Sequence, residues 1–207
     1  MQRAKGFSRK ILTVLDGIPF GKQYFEVGIL LRNSLLVSSM LFNCEAWYNL
    51  TSAELALLGN IETQFLSQLL QAPKGTTKEM LILELGCKPF RDIIRERRLG
   101  FVQTQLKNRT KRDWGSMVLD DLEKLEMKDT SFEEIGNMKK GYFMKVVKLR
   151  NEEKVFKSLE KVKKIEHNSM KIQKYLQLNR TEISREEAHL IFKLRCRVTE
   201  AKKYFRM

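Results

Sequence analysis

An all-α fold of several helices is predicted by three features of this 207-residue sequence. Apolar residues recur every three or four positions along much of the chain, which is the spacing of one face of an α-helix. Three prolines and eleven glycines are too few for the many turns of an all-β fold. Hydrophobic residues make up 43% and charged residues 31%, so we expect a buried core rather than a disordered chain.

The helix boundaries are predicted from caps and breakers. In a capping box, a Ser or Thr and a Glu three residues later each bond the other's backbone N–H at the start of a helix. Gly86 predicts a helix end, and Pro89 predicts the first turn of the next helix. The boxes are predicted at Thr51 with Glu54, Thr76 with Glu79, and Ser184 with Glu187. The predicted helices cover residues 23–43, 51–70, 76–86, 89–106, 114–125, a restart at 130–134, 139–165, and 184 to the terminus.

Positive charge is concentrated in the second half of the chain. Residues 1–103 hold 13 basic and 9 acidic side chains, and residues 104–207 hold 26 and 16, which together give a net charge of +14. The first half is rich in Leu, Ile and Phe, whereas single apolar residues alternate with Lys and Glu in the second. We therefore predict a helical domain over residues 1–107, containing most of the core, and a basic region of longer charged helices over residues 108–207.

Cysteine usage and hydropathy exclude several classes of protein. Cys44, Cys87 and Cys196 are far apart, so neither a disulfide framework nor a zinc or redox motif is predicted. The basic N-terminus lacks the cleavage pattern of a signal peptide. The most apolar stretch, residues 27–42, contains Arg32 and falls short of the ~20 residues of a membrane span. We expect an intracellular protein without membrane contact, and nothing in the sequence distinguishes nucleus from cytoplasm.

Catalysis is poorly supported by the residue types present. The two histidines, His167 and His189, are each flanked by charged helical sequence and are expected to be solvated. Neighbouring carboxylates point in different directions on a helix, whereas metal ligands must converge. No glycine-rich phosphate-binding loop is found. We therefore predict no catalytic residue, no metal site and no cofactor.

A polyanionic partner is predicted by the net positive charge. Arg91, Arg95 and Arg98 are spaced by four and three residues, which puts them on one side of the helix after Pro89, where they could follow a phosphate backbone. An ordinary solvated stripe without a ligand is the alternative. Arg97 lies among apolar positions and is expected to pair with a buried carboxylate or a carbonyl. The candidate nucleic-acid-binding residues are Arg91, Arg95, Arg98, Lys107, Arg109, Lys111 and Arg112.

Two stretches of the first half carry a family resemblance. Residues 21–51, GKQYFEVGILLRNSLLVSSMLFNCEAWYNLT, contain an apolar helix that runs into an E-x-W motif, here Glu45 and Trp47. Residues 69–99, LLQAPKGTTKEMLILELGCKPFRDIIRERRL, match a segment A-P-x-x-T-P-x-E-x-x-x-x-E-x-G-x-x-P-I, with Thr77 where proline is often seen. These motifs resemble the region just after the palm in reverse transcriptases of non-LTR (LINE-type) retrotransposons.

The resemblance extends, with falling specificity, through DLEKL at 121–125 and FKLRCRVTEAKKYF at 192–205. It implies a thumb-like helical bundle and a connector that grip the template–primer duplex, with the palm of a parent polymerase as a further partner. The metal-binding Y-x-D-D signature of the palm is absent from the sequence, so no catalysis is implied for this chain. A Cys/His zinc knuckle commonly follows the terminal helix in the family, but only Cys196 is found there, so metal binding is not carried over.

Two functions follow as hypotheses. The first is a C-terminal fragment of an RNA-directed DNA polymerase that holds duplex through phosphate contacts, largely independently of base sequence. The second is a decayed or domesticated helical remnant that binds a protein partner. Without palm contacts, Ile29, Leu30, Leu36 or Met40 is expected to be uncovered, and the chain to self-associate. A transcript read across the codon of Met1 would distinguish a fragment from a stand-alone protein.

Overall fold

The structure, a computed structural model, describes residues 2–47, 50–107, 115–158, 171–179 and 181–204. Within these ranges every regular element is helical and no strand occurs, which confirms the all-α class. No helix in the same ranges is both long enough and apolar enough to cross a bilayer. The α-helices are α1 (Gln2–Leu15), α2 (Lys22–Leu31), α3 (Ser38–Met40), α4 (Ser52–Leu70), α5 (Lys78–Leu85), α6 (Phe90–Lys107), α7 (Gly115–Lys124), α8 (Phe132–Asn137), α9 (Lys140–Ser158) and α10 (Arg185–Tyr204), with 3₁₀ turns at Cys44–Ala46 and Lys174–Gln177.

The helix predicted over residues 23–43 is present but irregular. α2 passes into a π-helical turn at Arg32–Val37, and α3 continues it as a single turn. Leu36 is fully buried, whereas Leu30 and Leu35 are exposed. The expectation that this helix is buried on most sides is therefore wrong: one side packs into the core, and the opposite side is exposed.

Two of the three predicted capping boxes are formed. The Thr51 N–H donates to the Glu54 carboxylate over 2.8 Å, and the Glu54 N–H donates to Thr51 Oγ1 over 3.2 Å. Ser184 and Glu187 make the same pair of bonds at the start of α10. A further box begins with Ser131 and starts α8, within the restart that is predicted at residues 130–134.

The capping box predicted at Thr76 with Glu79 is wrong. α5 begins after Thr77, whose side chain makes no capping bond. Thr76 belongs instead to the preceding turn: its Oγ1 donates to the Pro73 carbonyl over 2.7 Å, and its N–H donates to the same oxygen over 3.2 Å. The hydroxyl is thus occupied by the turn and does not reach the helix.

The first core lies among α1, α2, α4, α5 and the start of α6. Its largest apolar side chains are Phe25, Phe65 and Phe90, all of them fully buried or nearly so. Leu176 and Phe192 belong to the same core, although they come from the C-terminal part of the chain. The chain therefore leaves its first core at α6 and returns to it about 80 residues later.

The second core joins the rest of α6 to α7, α8 and α9. Leu99 of α6 packs there with buried residues such as Leu122 and Phe143, whereas Ile94 of α6 belongs to the first core. The division between the cores therefore falls inside α6, upstream of the boundary predicted after residue 107, and part of the predicted second region completes the first core.

The C-terminal part of the chain meets the first core at the end of α5. Gly86 has a φ of +58° and ends the helix, as predicted. A Cβ at Gly86 would lie 2.2 Å from the carbonyl carbon of Lys171 and 2.5 Å from the nitrogen of Ile172. The Gln173 N–H donates to the Glu84 carbonyl over 3.0 Å. Only glycine lets the later segment lie this close to the helix end.

Candidate nucleic-acid interface

The arginine stripe predicted on α6 is not a surface stripe. Arg95 and Arg98 are only 5% and 3% exposed, and Arg91 alone of the three lies at the surface. Arg95 Nη1 donates to Asn151 Oδ1 over 2.6 Å and to Asp92 Oδ1 over 3.2 Å. The expectation that all three arginines face a ligand together is therefore wrong for Arg95 and Arg98.

Both buried arginines bind Asp121 of α7. Arg98 Nε donates to Asp121 Oδ2 over 2.6 Å, and Arg95 Nε lies 3.4 Å from Oδ1. Arg98 Nη1 also donates to the Trp47 carbonyl over 2.6 Å. α6 takes part in both cores. α7 and α9 pack against the side of α6 that carries Arg95 and Arg98, which the spacing predicts to be exposed. These guanidinium groups hold helices together and are not available to a phosphate.

The other predicted residues differ in their positions. Lys107 is exposed at the end of α6. Arg97 donates to the Leu41 carbonyl over 3.0 Å, which confirms the expected carbonyl partner, although its side chain is otherwise exposed. Three candidates lie outside the residues that the structure describes: Arg109, Lys111 and Arg112.

Glu62 fixes the N-terminus of α6. Its buried carboxylate accepts the N–H of Phe90, the first residue of α6, at 3.1 and 3.2 Å from its two oxygens. Arg32 binds one oxygen of Glu62, and Lys78 Nζ lies 2.8 Å from the other. A carboxylate placed at a helix N-terminus and paired with two cations is satisfied by the fold itself, so this cluster is structural.

Asp92 is the titratable group of α6 that the fold perturbs most clearly. Burial raises the pKa of its carboxyl from 3.8 to about 6. The Arg95 guanidinium opposes this rise, whereas the Glu96 and Glu62 carboxylates add to it. Because these neighbours are all part of ion pairs inside the fold, Asp92 affects the pH dependence of stability rather than a reaction.

A row of exposed side chains runs along the outer side of α9. Phe143 and Val147 are fully buried on its inner side and attach it to the second core. Four residues follow one another at intervals of three and are all exposed: the first comes immediately before α9, and the other three lie on its outer side. Residues three apart are neighbours on a helix surface, with Cβ atoms about 5–6 Å apart, so they form a continuous diagonal row. We call these four residues the α9 row: Lys139, Tyr142, Lys145 and Lys148.

The α9 row begins beside the last turn of α6. Lys140 Nζ donates to Thr104 Oγ1 over 3.1 Å, and Lys107 follows Thr104 by three residues on the same helix. The Cβ of Leu106 is 3.4 Å from the position of a Cβ on Gly136, so the end of α8 lies against this turn as well. We call the five lysines at this junction and along α9 the basic surface: Lys107, Lys139, Lys140, Lys145 and Lys148.

The lysines of the basic surface have no carboxylate partner within the described part of the chain. The first turn of α9 contains no acidic residue. A cation at the N-terminus of a helix is disfavoured by the helix dipole, so stabilisation of α9 does not account for Lys139 and Lys140. Ammonium groups left free in this way can each contact a phosphate oxygen.

Groups suited to other chemistry are not assembled in the described ranges. No set of three or more His, Cys, Asp or Glu side chains there is placed to hold a metal ion. The cysteines Cys44, Cys87 and Cys196 are buried, and none of them forms a disulfide bond with another described residue. Burial lowers the pKa of the His189 imidazole, and the positive charge of Lys193 lowers it further. His167 lies outside the described residues.

Comparison of the chain with protein-family models, with curated proteins and with solved structures gives no match. The resemblance to non-LTR reverse transcriptases therefore depends on the sequence motifs alone.

Proposed function

We propose that this chain is the thumb and connector region of a non-LTR retrotransposon reverse transcriptase, and that it holds a nucleic-acid duplex without performing polymerase chemistry itself. The motifs at residues 21–51 and 69–99 favour the family, with the palm of the parent RNA-directed DNA polymerase as a neighbour. The observation that carries the duplex contact is the basic surface, where five exposed lysines have no carboxylate partner among the residues that the structure describes.

Phosphate contacts explain this arrangement better than base contacts do. Lysine ammonium groups are compact charges on flexible stems, and they neutralise phosphates whatever the base sequence. Each neutralised phosphate releases condensed counterions, so the affinity falls with salt by a slope of about 0.9 per contact. We therefore expect the chain to bind a duplex with an affinity that falls steeply with salt and depends little on base sequence.

The test replaces Lys139, Lys145 and Lys148 together by Gln and measures the binding of a labelled duplex by fluorescence anisotropy at several salt concentrations. The slope of log Kd against log salt is expected to become shallower by about one unit per lost contact, and by up to about three in all. Replacing Arg91, Arg95 and Arg98 would not serve, because two of them are buried and their loss would disturb the fold.

The matched control replaces three exposed lysines elsewhere on the protein, Lys10, Lys74 and Lys174, by Gln. The change in net charge is the same, so a control variant with the same loss of slope would show that total charge alone drives binding. An unchanged slope in the α9 variant would contradict the proposal.

A protein-interaction module is the second candidate, because apolar side chains are exposed on α2, in the π-helical turn that follows it and just after α3. Leu30 is 63% and Phe42 77% exposed, and Leu35 lies between them. The expectation that Leu30 is uncovered is confirmed, whereas for Leu36 it is wrong, since that residue packs into the first core. Exposed apolar surface of this kind is typical of a contact with another chain. Sedimentation velocity of the isolated chain would measure its self-association.

A further inference from the structure

The exposed aromatic ring of the α9 row is not explained by phosphate contacts with a duplex. Tyr142 is 63% exposed and lies three residues after Lys139 and three before Lys145. We propose that Tyr142 stacks on an unpaired base while these two lysines bind the phosphates on either side, so that the α9 row is a single-strand site. This inference rests on the proposed function, because it takes the same surface to bind nucleic acid.

The fold itself does not use the Tyr142 ring. Phe143 and Val147 already attach α9 to the second core, and both are fully buried. Among the described residues Tyr142 makes no hydrogen bond and no ring contact, since the aromatic pairs of the structure join Phe20, Tyr24 and Phe25. A tyrosine that contributes to no core and satisfies no polar group is free to receive a ligand.

A flat ring between two cations suits a single strand better than a duplex. In a duplex the faces of the bases are covered by their neighbours, and only the edges are reached through the grooves. In a single strand the base faces are open, and proteins that bind such strands combine aromatic platforms with a positively charged track along the backbone. The α9 row has this composition: one ring, with Lys145 a neighbour on the helix surface and Lys139 at the residue just before the helix.

Charge complementarity identifies the partner as a nucleic acid rather than an apolar protein surface. Lys139 and Lys145 are each three residues from Tyr142 and Lys148 follows three residues later, and none of the three has a carboxylate partner in the described part of the chain. An apolar partner would have to desolvate these three ammonium groups without compensation, which is costly. A strand of phosphates compensates each of them, and the stacking adds affinity that does not depend on salt.

The experiment compares the wild type with Tyr142→Leu and Tyr142→Phe, using fluorescence anisotropy on three probes: an oligothymidylate, an oligouridylate and a blunt DNA duplex of the same length. Tyr142→Leu is expected to weaken binding to both single strands about tenfold, because a stacked base is lost, and to leave duplex affinity and the salt slopes unchanged. Tyr142→Phe keeps the ring and is expected to keep wild-type affinity. Circular dichroism melts check that the exposed substitutions leave the fold intact.

The outcomes separate this inference from the proposed function. If the wild type binds none of the probes in a salt-dependent way, both fail. If the lysine variant has a shallower salt slope but Tyr142→Leu binds the single strands as the wild type does, the stacking alone is overturned. An equal loss on single strands and duplex would also overturn it, because the ring would then not distinguish an open base from a paired one.

Discussion

Arg95 and Arg98 illustrate, at the scale of single residues, how a helical core contains charge. Each guanidinium has both a carboxylate and a neutral oxygen within hydrogen-bond reach: Asn151 for Arg95 and the Trp47 carbonyl for Arg98. Removing one member of such a set leaves the other charge buried without compensation, which costs more than the pair contributes when it is intact. The buried charge of Asp121 is compensated by both arginines.

Arg98→Ala is expected to lower the free energy of unfolding by about 3–5 kcal/mol, because it leaves Asp121 with only the more distant Arg95. Urea unfolding followed by circular dichroism measures the change. Arg91→Ala, on the same helix but exposed, is the control and is expected to change stability by less than about 0.5 kcal/mol. Equal and small effects of the two variants would mean that the Asp121 contacts contribute little.

Asp92 makes stability depend on pH in a direction opposite to that of a carboxylate whose pKa is lowered by folding. Its folded-state pKa of about 6 lies above the ordinary 3.8, so the folded state binds the proton more tightly than the unfolded state does. Asp92 therefore causes no loss of stability below about pH 4, and destabilises increasingly as pH rises through about 6.

Asp92→Asn removes this titration. The stability of the wild type relative to the variant is expected to fall by up to roughly 3 kcal/mol between about pH 4 and about pH 6, and to level off above. Unfolding free energies of both proteins across this range measure the difference, in which the other titrating groups cancel. Parallel pH profiles would show that Asp92 titrates normally.

At the scale of helices, local sequence predicts where an element begins when the signal lies within a few residues. The boxes at Thr51 and Ser184 and the end at Gly86 follow from such signals. α1 is not predicted, although its buried residues Ile11 and Leu15 have the four-residue spacing of one helix face. The α9 row could have been found from the spacing K-x-x-Y-x-x-K-x-x-K once the helix was predicted.

The burial of Arg95 and Arg98 could not be predicted from spacing. A stripe of arginines looks the same whether it faces water or a neighbouring helix, and the difference depends on partners elsewhere in the chain. Asn151 is 56 residues from Arg95, and Asp121 is 23 residues from Arg98. No local pattern identifies α7 and α9 as the helices that cover this side of α6.

Substitution of Gly86 tests how closely the end of α5 packs against the segment that begins at Lys171. Gly86→Ala is expected to destabilise for two reasons: alanine disfavours a φ of +58°, and its Cβ would collide with the backbone of Lys171 and Ile172. Gly75→Ala is the matched control: Gly75 also has a positive φ, +85°, but a Cβ added there would meet no atom beyond its chain neighbours within 4 Å in the described part of the chain.

Gly75→Ala is expected to cost about 1 kcal/mol of unfolding free energy, and Gly86→Ala about 1–3 kcal/mol more because of the collision. Thermal and urea unfolding of the two variants give the difference. If both variants lose the same amount, the segment after α9 moves aside without cost and is not packed firmly on α5.

At the scale of the whole molecule, α6 belongs to both cores, and the C-terminal part of the chain returns to the first. Arg195 Nε donates to Glu84 Oε1 over 2.7 Å, and Tyr175 donates its hydroxyl hydrogen to Oε2 over 2.8 Å. These partners are 111 and 91 residues apart. Composition predicts a division after residue 107, but it does not reveal contacts of this range, because they depend on the path of the chain in space.

The placement of Phe192 in the first core has a consequence for how the protein is made. A ribosome adds about 5–20 residues per second, so α5 and α10 are synthesised roughly 5–20 seconds apart. During that interval the apolar side chains of the nascent first core lack their last neighbours and are open to other chains. Chaperones that bind nascent apolar segments are therefore expected to bind this chain mainly between the emergence of α6 and that of α10. Slower translation of the last part of the chain would lengthen this interval.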